Sequence, residues 1–199
     1  MARPREFDTD TALANAMDVF WSQGYSEAKL PDLLEGMQLT RGSLYKAFKD
    51  KKSLFLQVLA EYDDQAVSGA VAILTECKRD GWERIFTIFE SISEAVESGD
   101  RRGCLLCSAV AGPACYDREI AAFAVKSLDR MRAAFQQAIG ESNTECEPES
   151  MAHFLVTQYV GLRIMSRTDV PAAIIEQNVQ ALRSLAILGG SRGEEINSA

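Results

Sequence analysis

The chain has 199 residues, 47% of them hydrophobic and 25% charged, enough apolar material for a core of its own without a metal or disulfide staple. Lys and Arg number 21 against 29 Asp and Glu, a net charge of -8 with a pI near 4.8, which excludes a protein that coats nucleic acid over its whole surface. The five cysteines and a charged N-terminal stretch with no apolar run of the signal-peptide kind lead us to expect a cytoplasmic protein. The longest uncharged apolar run, near Cys104 to Ala114, is about half of a membrane span.

Taken in chain order, apolar residues recur at helical spacing almost throughout. Leu13, Ala16, Met17 and Phe20 fall on one helix face, as do Leu54, Val58, Leu59 and Tyr62. No alternating strand or Asn-Gly hairpin interrupts them. Gly24, Gly81, Gly99, Gly103, Gly112-Pro113, Gly140, Pro148, Pro171 and Gly189-Gly190 punctuate the pattern. The expected fold is all-α with about nine helices, over 9–23, 30–36, 41–47, 51–77, 82–98, 103–111, 117–139, 149–167 and 172–188. The expected organisation is an N-terminal unit of three short helices over 1–52, a larger helical bundle over 53–190, and a small, polar tail over 191–199.

Charge is not spread evenly along this chain. Residues 41–52 hold Arg41, Lys46, Lys49, Lys51 and Lys52 against Asp50 alone, a local +4 on a remainder of -12. A charge run is usually a solvated face; its framework argues for more. Thr40 can cap a helix, and the segment after it, Arg41-Gly42-Ser43-Leu44-Tyr45-Lys46-Ala47-Phe48, turns Leu44, Ala47 and Phe48 inward and Arg41, Ser43, Tyr45 and Lys46 outward. The outward set suits phosphate oxygens and base edges. A helix over Leu30 to Gly36 and a short turn precede it, a helix-turn-helix layout.

Three stretches, Ala16 to Tyr25, Asp32 to Met37 and Thr40 to Phe55, in this order and at these short spacings, make the first 62 or so residues resemble the DNA-binding domain of the tetracycline-repressor family of transcriptional regulators. The resemblance implies that helix 41–47 is the recognition helix and that Tyr45 and Lys51 touch phosphate, Lys51 from the positive end of its helix dipole. Partial packing against the first helix is the other role open to Tyr45. The expected DNA-contacting residues are Lys29, Thr40, Arg41, Gly42, Ser43, Tyr45, Lys46 and Lys51. Two positions depart from the family pattern. Ala28-Lys29 stands where a hydroxyl residue usually opens the second helix, and Gln38 stands where glycine is frequent, so a positive φ there would cost roughly 1 kcal/mol.

Beyond about residue 63 the resemblance is to general architecture, a regulatory bundle whose last two helices pair with a second copy. Wide apolar stripes agree with that, and Phe154, Leu155, Gln158, Leu162, Val179, Leu182 and Leu185 are the expected dimer interface, with Gly161 allowing close approach. A two-fold dimer would set its recognition helices about 34 Å apart, matching a palindromic operator. The expected effector pocket gathers Trp82, Phe86, Phe89, Cys104, Cys107, Met131, Phe135 and Tyr159; each taken singly reads first as ordinary core, and it is the set together that suggests a pocket.

Gly103-Cys104-Leu105-Leu106-Cys107 resembles the Gly-Cys-Leu segment of the family branch that includes electrophile- and oxidant-responsive repressors. In the first turn of its helix Cys104 would have its thiol pKa lowered by the dipole and by Arg101 and Arg102. A buried cysteine is also a common small hydrophobe. Zinc on Cys104 and Cys107 would need two more ligands, Cys115 being near and His153 remote. No metal or cofactor is expected. The chain carries no phosphate loop and no Gly-x-Ser-x-Gly elbow, and one histidine for acid-base work, so no catalysis is expected either.

The expected function is a ligand- or redox-responsive DNA-binding regulator, a repressor acting as a homodimer on a palindromic DNA operator. The alternative class is a helical interaction module or enzyme that keeps the helix-turn-helix as a relic.

Overall fold

A computed structural model describes residues 8–190; the expected tail over 191–199 lies outside them. Among the described residues there is no strand. Ten α-helices are joined end to end by short loops: α1 (Thr9–Gln23), α2 (Leu30–Gly36), α3 (Arg41–Phe48), α4 (Lys51–Tyr62), α5 (Ser68–Leu74), α6 (Gly81–Glu97), α7 (Leu105–Ala111), α8 (Arg118–Gly140), α9 (Pro148–Met165) and α10 (Ala172–Gly190). A π-turn over Asp63–Val67 fuses α4 and α5 into one rod, so nine helical rods result among the described residues.

Local chemistry sets most of the helix starts. Asp8, Thr40, Asp50, Asp80, Asp117 and Glu147 each accept a hydrogen bond from a backbone N–H of the first turn that follows, satisfying donors that a helix cannot satisfy internally. The α2 helix starts without a hydroxyl; the Asp32 carboxylate instead accepts from the Lys29 N–H at 3.0 Å, and Pro31 takes a first-turn position where its missing N–H costs nothing. At the end of α1, Gly24 has φ +87°.

One contiguous cluster of buried side chains runs from Ala12 in α1 to Leu182 in α10. The 52/53 boundary falls inside the α4 rod, which packs on α1 on one side and on α7 and α8 on the other. Ion pairs from Lys52 to Asp117 (3.1 Å) and Glu119 (2.6 Å) tie the start of that rod to the start of α8. Arg84, fully buried, donates to the Leu74 carbonyl at 2.8 Å and to Glu141 at 2.7 Å, clamping the α5–α6 loop to the end of α8.

Candidate nucleic-acid interface and buried thiol pair

The α2 and α3 helices are held at their crossing by Leu33, Leu44 and Phe48, all buried. Ala47, expected beside them, is exposed: it sits at the edge of the apolar face, where a methyl group does not reach α4. Thr40 Oγ1 accepts from the Ser43 N–H at 3.2 Å, and the two hydroxyls lie 3.0 Å apart. What α3 leaves outward is Arg41, Gly42, Tyr45, Lys46 and Ala47, with Ser43 half-buried. Tyr45 is 42% exposed and the Arg41 guanidinium lies 5.8 Å from its ring centre. A Cβ on Gly42 would meet nothing within the protein.

Two residues of this region carry positive φ. Gln38, in the turn between α2 and α3, has φ +53°. Lys49, which ends α3, has φ +68° and ψ -59°, and the Asp50 N–H donates to the Phe48 carbonyl at 2.8 Å across it, the geometry of a rare, strained γ-turn. That turn lets Asp50 cap α4 by accepting from the Ser53 N–H at 2.7 Å.

The +4 segment is therefore only partly outward. Arg41, Lys46 and Lys49 are exposed, as is Lys29 at the start of α2. Lys52 is neutralised by Asp117 and Glu119. Lys51 Nζ donates to the Ser26 carbonyl at 3.3 Å and lies 4.8 Å from the Tyr25 ring centre, and burial lowers its pKa. Its position at the first turn of α4 is as expected, but it also braces the α1–α2 connection.

The residues matched by the "Bacterial regulatory proteins, tetR family" model are 12–58, spanning α1 to most of α4. The chain is 30% identical over 176 residues to the HTH-type transcriptional repressor ComR of Escherichia coli, covering 83% of this chain and 82% of that protein. It belongs to the tetR family of bacterial transcriptional regulators. YezE of Bacillus subtilis, an HTH-type transcriptional regulator, is 26% identical and matches over 94% of this chain and 100% of its own length. A cysteine mutant of the TetR family regulator CifR, in complex with 26-base-pair double-stranded operator DNA, superposes with a TM-score of 0.73 at 32% identity, covering 90% of this chain and 99% of that one.

In this tetR-family chain the C-terminal residues expected to line an effector pocket are packed together. Phe89 and Phe135 lie 6.0 Å apart, Trp82 and Phe86 5.7 Å apart, and these four with Met131 and Tyr159 are buried. Of the expected dimer residues, Leu155, Leu162, Val179 and Leu182 are buried within the protomer itself. A helix of a bundle spends the centre of its stripe on its own core, which leaves Phe154 and Leu185 exposed and Gln158 half-buried; Met165 and Ile174 add to that exposed face. A Cβ on Gly161 would meet nothing within the protomer.

Cys104 and Cys107 come together in a site that sequence spacing only half reveals. The α7 helix starts at Leu105, so Cys104 is the residue before its first turn and not in it, 2% exposed, with an extended backbone. Gly103 sets it there with φ +70°, pressed so close to α9 that a Cβ would collide with the Arg163 carbonyl. Hydrogen bonds to the Cys104 sulfur from Cys107 and Tyr62, with the Arg163 charge close by, outweigh burial and hold its pKa down to about 6. The same pairing, with burial, pushes Cys107 up. The arginines expected to assist are engaged elsewhere. Arg101 Nη1 donates to the Thr168 and Val170 carbonyls, at 2.7 and 2.9 Å, while Arg102 pairs with Asp100 and Asp18.

Arg163 and Tyr62 thus complete the site from α9 and α4. Tyr159 and Arg163 do stand one helical turn apart, at cation–π distance of 5.2 Å, a spacing visible in sequence; nothing there shows that the pair faces Cys104. The site also reaches the DNA-binding end. Tyr62 packs edge-on against Trp21 of α1 at 5.0 Å, the Arg102 guanidinium lies 4.1 Å from the Trp21 ring centre, and Arg167 donates to the Trp21 carbonyl at 3.0 Å.

Proposed function

We propose that the chain is a homodimeric repressor that reads a palindromic DNA operator through α3 and releases it when an effector or a thiol-directed electrophile acts on the bundle. The observation that carries this reading is the outward face of a capped α3: Arg41, Tyr45 and Lys46 around the open backbone of Gly42, on a protein whose remaining surface is acidic. Arginine and lysine suit guanine edges and phosphates, and a side-chain-free position admits the duplex backbone closely. Thr40, Ser43, Lys29 and Lys51 flank that face as phosphate partners. Residues 1–52 act as the reading head, 53–190 as the regulatory and pairing body, and no catalysis is assigned to it. Phe154, Gln158, Leu185, Met165 and Ile174 form the pairing face on α9 and α10, with Gly161 at the close approach.

The control element is Cys104. A thiolate beside Arg163, hydrogen-bonded by Tyr62, has a physical cause for reactivity, and Tyr62 leads to Trp21 and so to α1. An electrophile such as N-ethylmaleimide would form a carbon–sulfur bond at Cys104, the adjacent carbon taking up a proton. The adduct has no room among Tyr62, Cys107 and Arg163, so it favours a state in which the two reading heads are mis-spaced.

Selection of bound sequences from random duplex DNA tests the first part. A two-fold site with half-sites one helical turn apart is the expected product, with affinity falling steeply with salt and Lys51→Ala lowering that slope by about one unit. Weak binding with no sequence preference overturns it. For the control element, N-ethylmaleimide should weaken operator binding in the native protein and leave Cys104→Ser unaffected; an equal response in the variant removes Cys104 from the role.

A further inference from the structure

Where α7 and the end of α9 face the α1–α2 connection, the packing leaves a cavity of about 270 Å³. It contains none of the eight residues expected to hold an effector. Small residues create it: Gly24 and Ser26 on the DNA-binding side, Ser108, Ala109 and Gly112 on the other. Phe55, Leu105 and Ile164 supply apolar wall, and Arg167 the positive charge. Arg167 Nη1 donates to the carbonyls of Trp21 (3.0 Å) and Arg102 (2.7 Å), and among the described residues no carboxylate pairs with this guanidinium. The one acidic residue of the lining, Glu27, acts on Lys51, where its charge offsets part of the lowering that burial imposes on that lysine's pKa.

We propose that this junction cavity is a binding site for a small organic acid, with its carboxylate on Arg167 and its apolar body against Phe55, Leu105 and Ile164. The charge argues for the anion, since a guanidinium beside apolar walls gains most from a carboxylate that can accept two of its parallel N–H donors. The size argues for a small one, because cavities that hold drug-sized ligands run from about 300 to 1,000 Å³. The location argues for a consequence. The ligand props the α1–α2 connection against α7 and α9, at the place where Arg167 grips the end of α1, so it alters how the reading head sits on the body.

Binding is read on the protein alone, by thermal unfolding with benzoate, phenylacetate and hexanoate as probes and the neutral benzamide as control, so its failure is separate from any failure of DNA binding. At a concentration well above its dissociation constant, at least one acid raises Tm by roughly 5 °C, and benzamide does not. Ser108→Leu, which fills the cavity and leaves Arg167 in place, abolishes the shift. Arg167→Met abolishes it as well, and Arg167→Lys keeps part of it. Should Arg167→Met fail to fold for want of its bonds to Trp21 and Arg102, the Ser108→Leu and benzamide comparisons still decide. No shift with any of the three acids, an equal shift with benzamide, or a shift that survives Ser108→Leu each overturns the proposal.

Discussion

The outward face of α3 and the thiol pair under α7 are built on opposite principles. The α3 face is one contiguous segment whose charges stand in water with few partners, so its side chains are dispensable to folding and available to a ligand. The thiol site draws Tyr62, Cys104, Cys107, Tyr159 and Arg163 from three helices into a nearly dry space, where each group's state depends on the others. Substitutions in the first should change DNA affinity and spare stability. In the second, stability, pH response and control should move together.

The largest expected effect tests the thiol site. Gly103→Ala adds a Cβ against the Arg163 carbonyl at a left-handed position and should cost roughly 3 kcal/mol of stability by denaturant unfolding. A loss below about 1 kcal/mol would show that the approach to α9 can yield, and that the site is less tightly set than its packing implies. Arg41→Ala and Lys46→Ala probe the other region. Each should weaken operator binding by roughly 1 to 3 kcal/mol in a mobility-shift titration while thermal stability stays within about 0.5 kcal/mol.

The pH response separates the regions further. Because Cys104 titrates lower in the folded chain, near 6, than the usual unfolded thiol near 8.5, it binds fewer protons when folded. Its stabilising contribution is complete only above the unfolded range and is lost as pH falls toward 6. The stability difference between the native protein and Cys104→Ser should therefore grow as pH rises from about 6 to 8.5, by roughly 2 kcal/mol. Cys107, shifted upward, works the other way, but only above the unfolded thiol range. A flat difference would show that no thiolate forms at Cys104.

The smallest effects return to the helix-turn-helix. Lys49→Gly, at φ +68°, should stabilise by roughly 1 kcal/mol, and Gln38→Gly, at the milder φ +53°, by about 0.5 kcal/mol, the backbone relief being offset by glycine's entropy. Thermal unfolding reads both. If either loses stability, the positive φ is not strained there.

How much could be read in advance follows the same division. The helix-turn-helix, its cap at Thr40 and the risk at Gln38 were legible because each depends on neighbours within a few residues. Lys49 was not, since nothing local asks for a γ-turn; it follows from bringing Asp50 round to cap α4. The dimer stripe was read too broadly, because periodicity marks every apolar residue alike and cannot separate those that α9 and α10 spend on their own core, such as Leu155 and Val179, from those left outside, such as Phe154 and Leu185. Arginine roles were misplaced for a related reason: Arg101 and Arg102 are adjacent to Cys104 in sequence but are drawn to carbonyls and carboxylates elsewhere, while Arg163 arrives from a helix 60 residues on.

Sequence alone therefore determined the helical class, most of the helix starts and the place of the charged helix α3, since periodicity, capping and net charge act over short stretches of chain. Tertiary structure decided which thiol is biased toward the thiolate, which lysines of the +4 segment are already engaged, and that a cavity with an arginine opens at the junction. Those depend on distances between helices remote along the chain, and on how far burial strengthens each charge they bring together.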